Sequence, residues 1–134
     1  MVAQKKTKVR EEKMTILIIF SICLSILFLI EMQKTVEIIF FTNPGCFVAN
    51  RTDKTLGEIK SDFKDRVYIK EIKVNMYNGD PQDTEEIKML REKYQVNGVP
   101  EVIINGKEFT KKHTKDNLER TICEYFIIKP MVCI

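Results

Sequence analysis

Seventeen consecutive residues, Met14 to Ile30, read MTILIIFSICLSILFLI and contain no charge, proline or glycine. This run limits the fold more than any other, because a helix over it has no polar face with which to lie on a globular core. Such a helix is about 25 Å long at ~1.5 Å per residue, which is the low edge of a bilayer-spanning length. Lys13 and Lys34 flank it, and snorkelling of their amines extends its reach. The segment reads as an uncleaved membrane anchor over residues 14–30, behind a basic tail over residues 1–13. A cleaved signal peptide is the competing reading, since basic-then-apolar order serves it too. However, Glu31, Met32 and Gln33 stand where a small-x-small cleavage motif belongs. The basic flank (Lys5, Lys6, Lys8, Arg10 and Lys13, with Glu11 and Glu12) puts the tail in the cytoplasm by the positive-inside rule. The expected location is therefore the cell membrane, single-pass. Residues 14–30 take the lipid bilayer as partner, and an extracytoplasmic domain covers residues 31–134. About four residues link the run to the first strand pattern, a reach of ~14 Å, so the domain is expected close to the bilayer.

Charge changes meaning once it is located. The chain has 22 Lys+Arg and 19 Asp+Glu. Residues 1–30 hold five and two of these, which leaves seventeen of each sign in the remainder. A balanced domain gives no case for a nucleic-acid partner. About 100 residues suffice for one compact domain.

Within that domain, Thr35–Phe41 (TVEIIFF) is β-branched, aromatic and almost continuously apolar, the pattern of a strand covered on both faces. Asn43-Pro44-Gly45 ends it with turn chemistry. Leu56, Ile59 and Phe63 then recur at helical spacing. Thr55-Leu56-Gly57-Glu58 fits a capping box, so this helix starts either directly after Cys46 or at Thr55. Val67–Tyr77 reads as a second strand and NGDPQD as a loop. Thr84-Glu85-Glu86 opens a second helix with Ile87, Leu90 and Tyr94 on one face. EVIING, Glu101–Gly106, is a third strand, and Asn105-Gly106 is a hairpin signal into a fourth, KEFTK. A last helix follows from about Thr114, with Leu118, Ile122 and Tyr125 inward. The order β-α-β-α-β-β-α predicts an α/β fold, a mixed sheet with helices on both faces and right-handed crossovers.

Chemistry concentrates at NPGCFVA, residues 43–49. Cys46 stands between a strand and a helix start, and the fourth position of a potential C-x-x-C pair is Ala49. The segment NGVPEVIINGKEF, with Val99 and Pro100, is the second notable motif. Together with the element order, these two stretches resemble the thioredoxin fold over roughly residues 35–127. The resemblance implies that Cys46 occupies the nucleophile position. It also implies a cis Val99–Pro100 bond beside the sulfur and a peptide groove shaped by Val99, Pro100, Pro44 and Gly45. It departs from the family pattern in three ways. The resolving cysteine is Ala49, no tryptophan precedes the motif, and Phe40 stands where many members bury an acid. A self-contained dithiol cycle is therefore absent at this motif; a glutaredoxin-like monothiol site stays open as an alternative, although CFVA lacks the glycine and serine usual in those proteins.

A single thiolate forms mixed disulfides and then waits for an external thiol. Cys46 at the positive end of a helix dipole suits that role. The expected partners are protein thiols or disulfides, and no cofactor is expected. The expected activity is monothiol thiol–disulfide exchange on exported proteins. Two readings stay open beside it: Cys46 as an inert half-buried hydrophobe, and the fold as a non-catalytic binding or scaffold domain at the membrane. Cys123 and Cys133 flank EYFIIKPMV and form a structural disulfide if the domain lies outside the cytoplasm; alternatively, one of them resolves the Cys46 adduct. His113 sits on a polar turn beside lysines and reads as solvated. Four cysteines and one histidine show no metal-ligand spacing. MYNGDPQD lacks the ligand spacing of a calcium loop. Asn50-Arg51-Thr52 matches a glycosylation sequon, which matters only outside the cytoplasm.

Overall fold

The computed structural model describes residues 2–32, 34–75 and 83–134. The chain divides into two units, Met1–Lys34 and Thr35–Ile134. The first is one helix, α1, Val2–Met32, whose residues 14–30 are exposed all round. The expected membrane anchor is corrected here: among the described residues, no helix is long and apolar enough to cross a membrane. The physical reason is length. The uncharged part of α1 supplies about 25 Å against a hydrocarbon core of about 30 Å. With the span go the bilayer as partner, the single-pass cell-membrane location and the extracytoplasmic placement derived from it.

The second unit contains β1 (Val36–Thr42), α2 (Phe47–Phe63), β2 (Val67–Lys73), α3 (Glu85–Tyr94), β3 (Glu101–Ile104), β4 (Lys107–Glu108) and α4 (Lys115–Cys123). Its sheet has the order β2-β1-β3-β4. β1 pairs parallel with β2 and antiparallel with β3, and β4 closes the sheet antiparallel to β3. β1 is thus central, which explains its nearly unbroken apolar sequence: Val36, Ile38 and Phe40 face one core, and Ile39 and Phe41 face the other. The first core takes Leu56, Ile59 and Phe63 of α2 with Leu118 and Ile122 of α4. The second takes Ile72, Val74, Val96 and Ile103, with Ile87, Leu90 and Tyr94 of α3 packed on it. Helices therefore cover both faces of the sheet, as its alternating pattern requires.

Local signals explain most element ends. The Thr84 hydroxyl accepts from the Ile87 N–H at 3.3 Å and caps α3. Thr114 does the same for α4 through Asn117 at 3.4 Å. Asn105 and Gly106 both have positive φ, 47° and 79°, the requirement of a tight hairpin turn. The fourth strand is shorter than its sequence implies. It ends at Glu108 because Phe109 turns into the first core. The second strand ends at Lys73; Met76, Tyr77 and the loop residues Asn78–Gln82 lie outside the described residues.

Cys123 and Cys133 form a disulfide with Cα atoms 5.7 Å apart. It folds the final turn, Met131–Cys133, back so that Val132 and Cys133 pack on the first core. Phe126 stacks on Phe63 at 6.3 Å between ring centres, and the Arg66 guanidinium covers the Phe126 ring at 4.8 Å.

Candidate active site

The β1–β3 register sets the site. Phe41 pairs with Glu101, so the start of β3, immediately after Pro100, lies against the end of β1. The chain leaves β1 at Thr42 and turns through residues 43–46. The Asn43 side chain builds that turn. Its Oδ1 accepts from the Gly45 N–H at 2.8 Å, and its Nδ2 donates to the Val74 carbonyl at 2.9 Å. The Cys46 N–H then donates to the Asn43 carbonyl at 2.9 Å. Glycine fits at 45 because a Cβ there would lie 3.1 Å from Asn43 Oδ1.

Cys46 is the N-cap of α2, with extended backbone (φ −94°, ψ 115°), and its carbonyl accepts the first helical bond, from the Asn50 N–H at 3.1 Å. Its side chain makes no capping bond. The helix therefore starts directly after Cys46 and not at Thr55, whose hydroxyl donates one turn back to the Arg51 carbonyl at 3.1 Å. The thiol is free, half-buried, and packs on the edge of the first core. Ala49, where a second sulfur would sit, is fully buried in that core. Phe47 and Val48 do the opposite: they are 77% and 55% exposed, so the turn after the thiol presents apolar surface to solvent.

Opposite this turn, Val99–Pro100 is a cis peptide bond. Pro100 lines a cleft of about 470 Å³ with Val48, Arg51 and Thr52 of α2 and with residues 111–114. The four residues assigned to a peptide groove have the following places. Pro100 lines this cleft. Val99 packs toward the second core, behind the sheet. Pro44 lines a different hollow of about 210 Å³ with Asn43, Lys73, Val74, Asn75, Asp83 and Ile87. Gly45 serves the turn.

Two groups of residues at or near the site were missed by the sequence reading. His113 is half-buried, not solvated. Its Nδ1 lies 3.1 Å from the Thr52 hydroxyl, which itself donates to the Val48 carbonyl at 3.1 Å. The imidazole packs on Phe109 at 5.7 Å. Burial pushes its pKa below the ordinary histidine value, against a smaller upward push from a hydrogen bond to the Phe109 carbonyl. Of the sequon residues, Asn50 is exposed, with its Nδ2 donating to the Pro44 carbonyl at 3.3 Å, and Thr52 is buried with its hydroxyl engaged. The second group is the ion pair of Arg91 and Asp83. These side chains are 0% and 1% exposed, with Nε 3.0 Å from Oδ2. Arg91 Nη2 also donates to the Asn75 carbonyl at 2.5 Å. The pair ties α3 to the end of β2, alongside the hollow under Pro44. The signal available was an acid immediately ahead of a helix cap and an arginine on that helix; nothing local marked either as buried.

No family model and no curated protein matches the chain. Solved structures do. Thioredoxin-2 of a malaria parasite, described as a component of its protein secretion machinery, is 19% identical, with 68% of this chain and 84% of that one covered at a TM-score of 0.52. A mutant thioredoxin of Halobacterium salinarum is 18% identical over 72% and 80% of the two chains, with a TM-score of 0.51. The germline-specific thioredoxin Deadhead of Drosophila is 11% identical over 69% and 82%, with a TM-score of 0.50. The second unit thus has a thioredoxin-like fold, with a four-stranded mixed sheet.

Proposed function

We propose that the second unit is a monothiol thiol–disulfide exchange protein with Cys46 as its nucleophile. The observation that carries this reading is a free, half-exposed thiol at the start of α2, followed by exposed Phe47 and Val48 on a turn that shares a cleft with cis-Pro100. Apolar residues exposed beside a reactive atom suit a protein substrate better than a small one.

In the reaction, the Cys46 thiolate attacks one sulfur of a substrate disulfide. A Cys46–substrate S–S bond forms, the substrate S–S bond breaks, and the departing thiolate takes a proton from water. The total number of disulfides is unchanged. Ala49 offers no sulfur for the second displacement, and Cys123 and Cys133 are bonded to each other. Release therefore needs a second thiol, from the substrate or from solution, which restores the Cys46 thiolate and carries the disulfide away. Retention of the adduct makes the protein suited to isomerisation or capture.

The experiment is intact-mass analysis of the full chain after exposure to an activated aromatic disulfide, in a Cys23→Ser background because Cys23 is also a free, exposed thiol. The reading expects one added group in that background, none when Cys46→Ser is added, and an unchanged unfolding midpoint for the added substitution. Labelling that survives Cys46→Ser would refute it. The exposed Phe47–Val48 surface equally favours a non-catalytic binding domain; that reading predicts partner binding unaffected by Cys46→Ser.

A further inference from the structure

Eight residues line the cleft beside Pro100. Three of them, Arg51, Lys111 and Lys112, carry a fixed positive charge, and none is acidic. Some surface cations of this chain are neutralised: Lys115 pairs with Asp62 and Glu119, Lys88 with Glu85, and Arg120 with Asp116. Arg51, Lys111 and Lys112 form no ion pair among the described residues, and Arg51 only lies over the Phe47 ring, 6.0 Å from its centre. The cleft floor between them is apolar, from Val48 and Pro100. His113 stands at its wall, held by Thr52.

We infer that this cleft takes an extended acidic segment of a protein substrate, whose carboxylates meet Arg51, Lys111 and Lys112 while its apolar side chains rest on Val48 and Pro100. The inference rests on the exchange reading above, because the segment seated here flanks the cysteine that Cys46 captures. The charge requirement is separate: it concerns which disulfide arrives, not whether the thiol reacts. Opposite charge raises encounter rates by about 10-fold or more at low salt, and screening removes the gain.

The test uses the full chain carrying Cys23→Ser, which leaves Cys46 as the one free thiol, and two synthetic peptides of equal length. Each carries one cysteine activated as an aromatic mixed disulfide, flanked by glutamates and leucine in one and by lysines and leucine in the other. The second-order rate of release of the aromatic thiol is followed at low and high ionic strength. The acidic peptide is expected to react about 10-fold faster than the basic one at low salt, with the difference largely gone near ~1 M salt. Lys111→Glu combined with Lys112→Glu reverses the preference, whereas Lys60→Glu with Lys93→Glu, an equal charge change away from the cleft, preserves it. A neutral small disulfide serves as the internal reference, and each peptide rate is divided by the reference rate of the same form. If the reference reacts but the two peptides do not differ, the acidic-segment inference is overturned while the exchange reading stands. If the reference itself leaves Cys46 untouched, the exchange reading falls.

Discussion

Arg91→Met isolates the energetic role of the buried ion pair. Arg91 and Asp83 are 1% and 4% exposed. Arg91 Nε faces Asp83 Oδ2 at 3.0 Å, and among the described residues Asp83 Oδ1 otherwise receives the long Asn75 contacts at 3.5 and 3.4 Å. Methionine fills much of the arginine volume but leaves a carboxylate out of water without its counter-charge. Removing one member of such a pair costs about 3–5 kcal/mol, whereas replacing both by apolar side chains is often neutral. For a unit of about 100 residues, ~1 kcal/mol corresponds to ~4 °C or more, so the single variant should melt ~12–20 °C below the wild type. The assay is a double-mutant cycle (wild type, Arg91→Met, Asp83→Leu and both together) followed by urea unfolding with circular dichroism. The double variant should recover most of the loss, giving a coupling energy of several kcal/mol. A single-variant cost below about 1 kcal/mol, or additive losses in the double variant, would refute the argument that desolvation of an unpaired charge dominates here.

His113 gives a pH signature. Burial lowers its folded pKa, so as pH falls the unfolded chain takes up a proton before the folded one does. Stability should decline below about pH 6.5, levelling off once the folded histidine also titrates. His113→Gln should remove that component of the pH profile, seen as the difference between the two unfolding curves. Cys123→Ser combined with Cys133→Ser opens a loop of sequence separation 10, and should cost about 2–3 kcal/mol with no change in the reaction of Cys46, measured by urea midpoint and alkylation rate.

Much of the second unit was legible because its signals are local. β1 reads as central because both its faces are apolar, and α3 and α4 begin at Thr84 and Thr114, whose hydroxyls do cap them. Asn105-Gly106 turns where that pair turns most readily. The start of α2 was ambiguous because two local rules competed. Thr55-x-x-Glu58 satisfies the capping pattern inside a helix already under way, where the Thr55 hydroxyl bonds the Arg51 carbonyl instead. Contacts made by tertiary folding left no such trace. His113 meets Thr52 across 61 residues, and its lysine neighbours gave it the look of a solvated turn. The burial of Arg91 depends on Asn75 and Asp83 converging at one end of the sheet. The membrane reading failed on length: an uncharged run without a polar face is necessary for a span, but the described helix does not meet the required length and apolarity.

The most direct trial of the central claim is the lifetime of the Cys46 mixed disulfide. The full chain carrying Cys23→Ser, so that Cys46 is its one free thiol, is loaded with one cysteine-containing peptide through an S–S bond and followed by intact mass with and without an added small thiol. A lone sulfur beside Ala49 predicts an adduct that persists without thiol and disappears promptly when thiol is supplied. Spontaneous release, with a new disulfide appearing within the chain, would contradict the account, as would failure to load Cys46 at all.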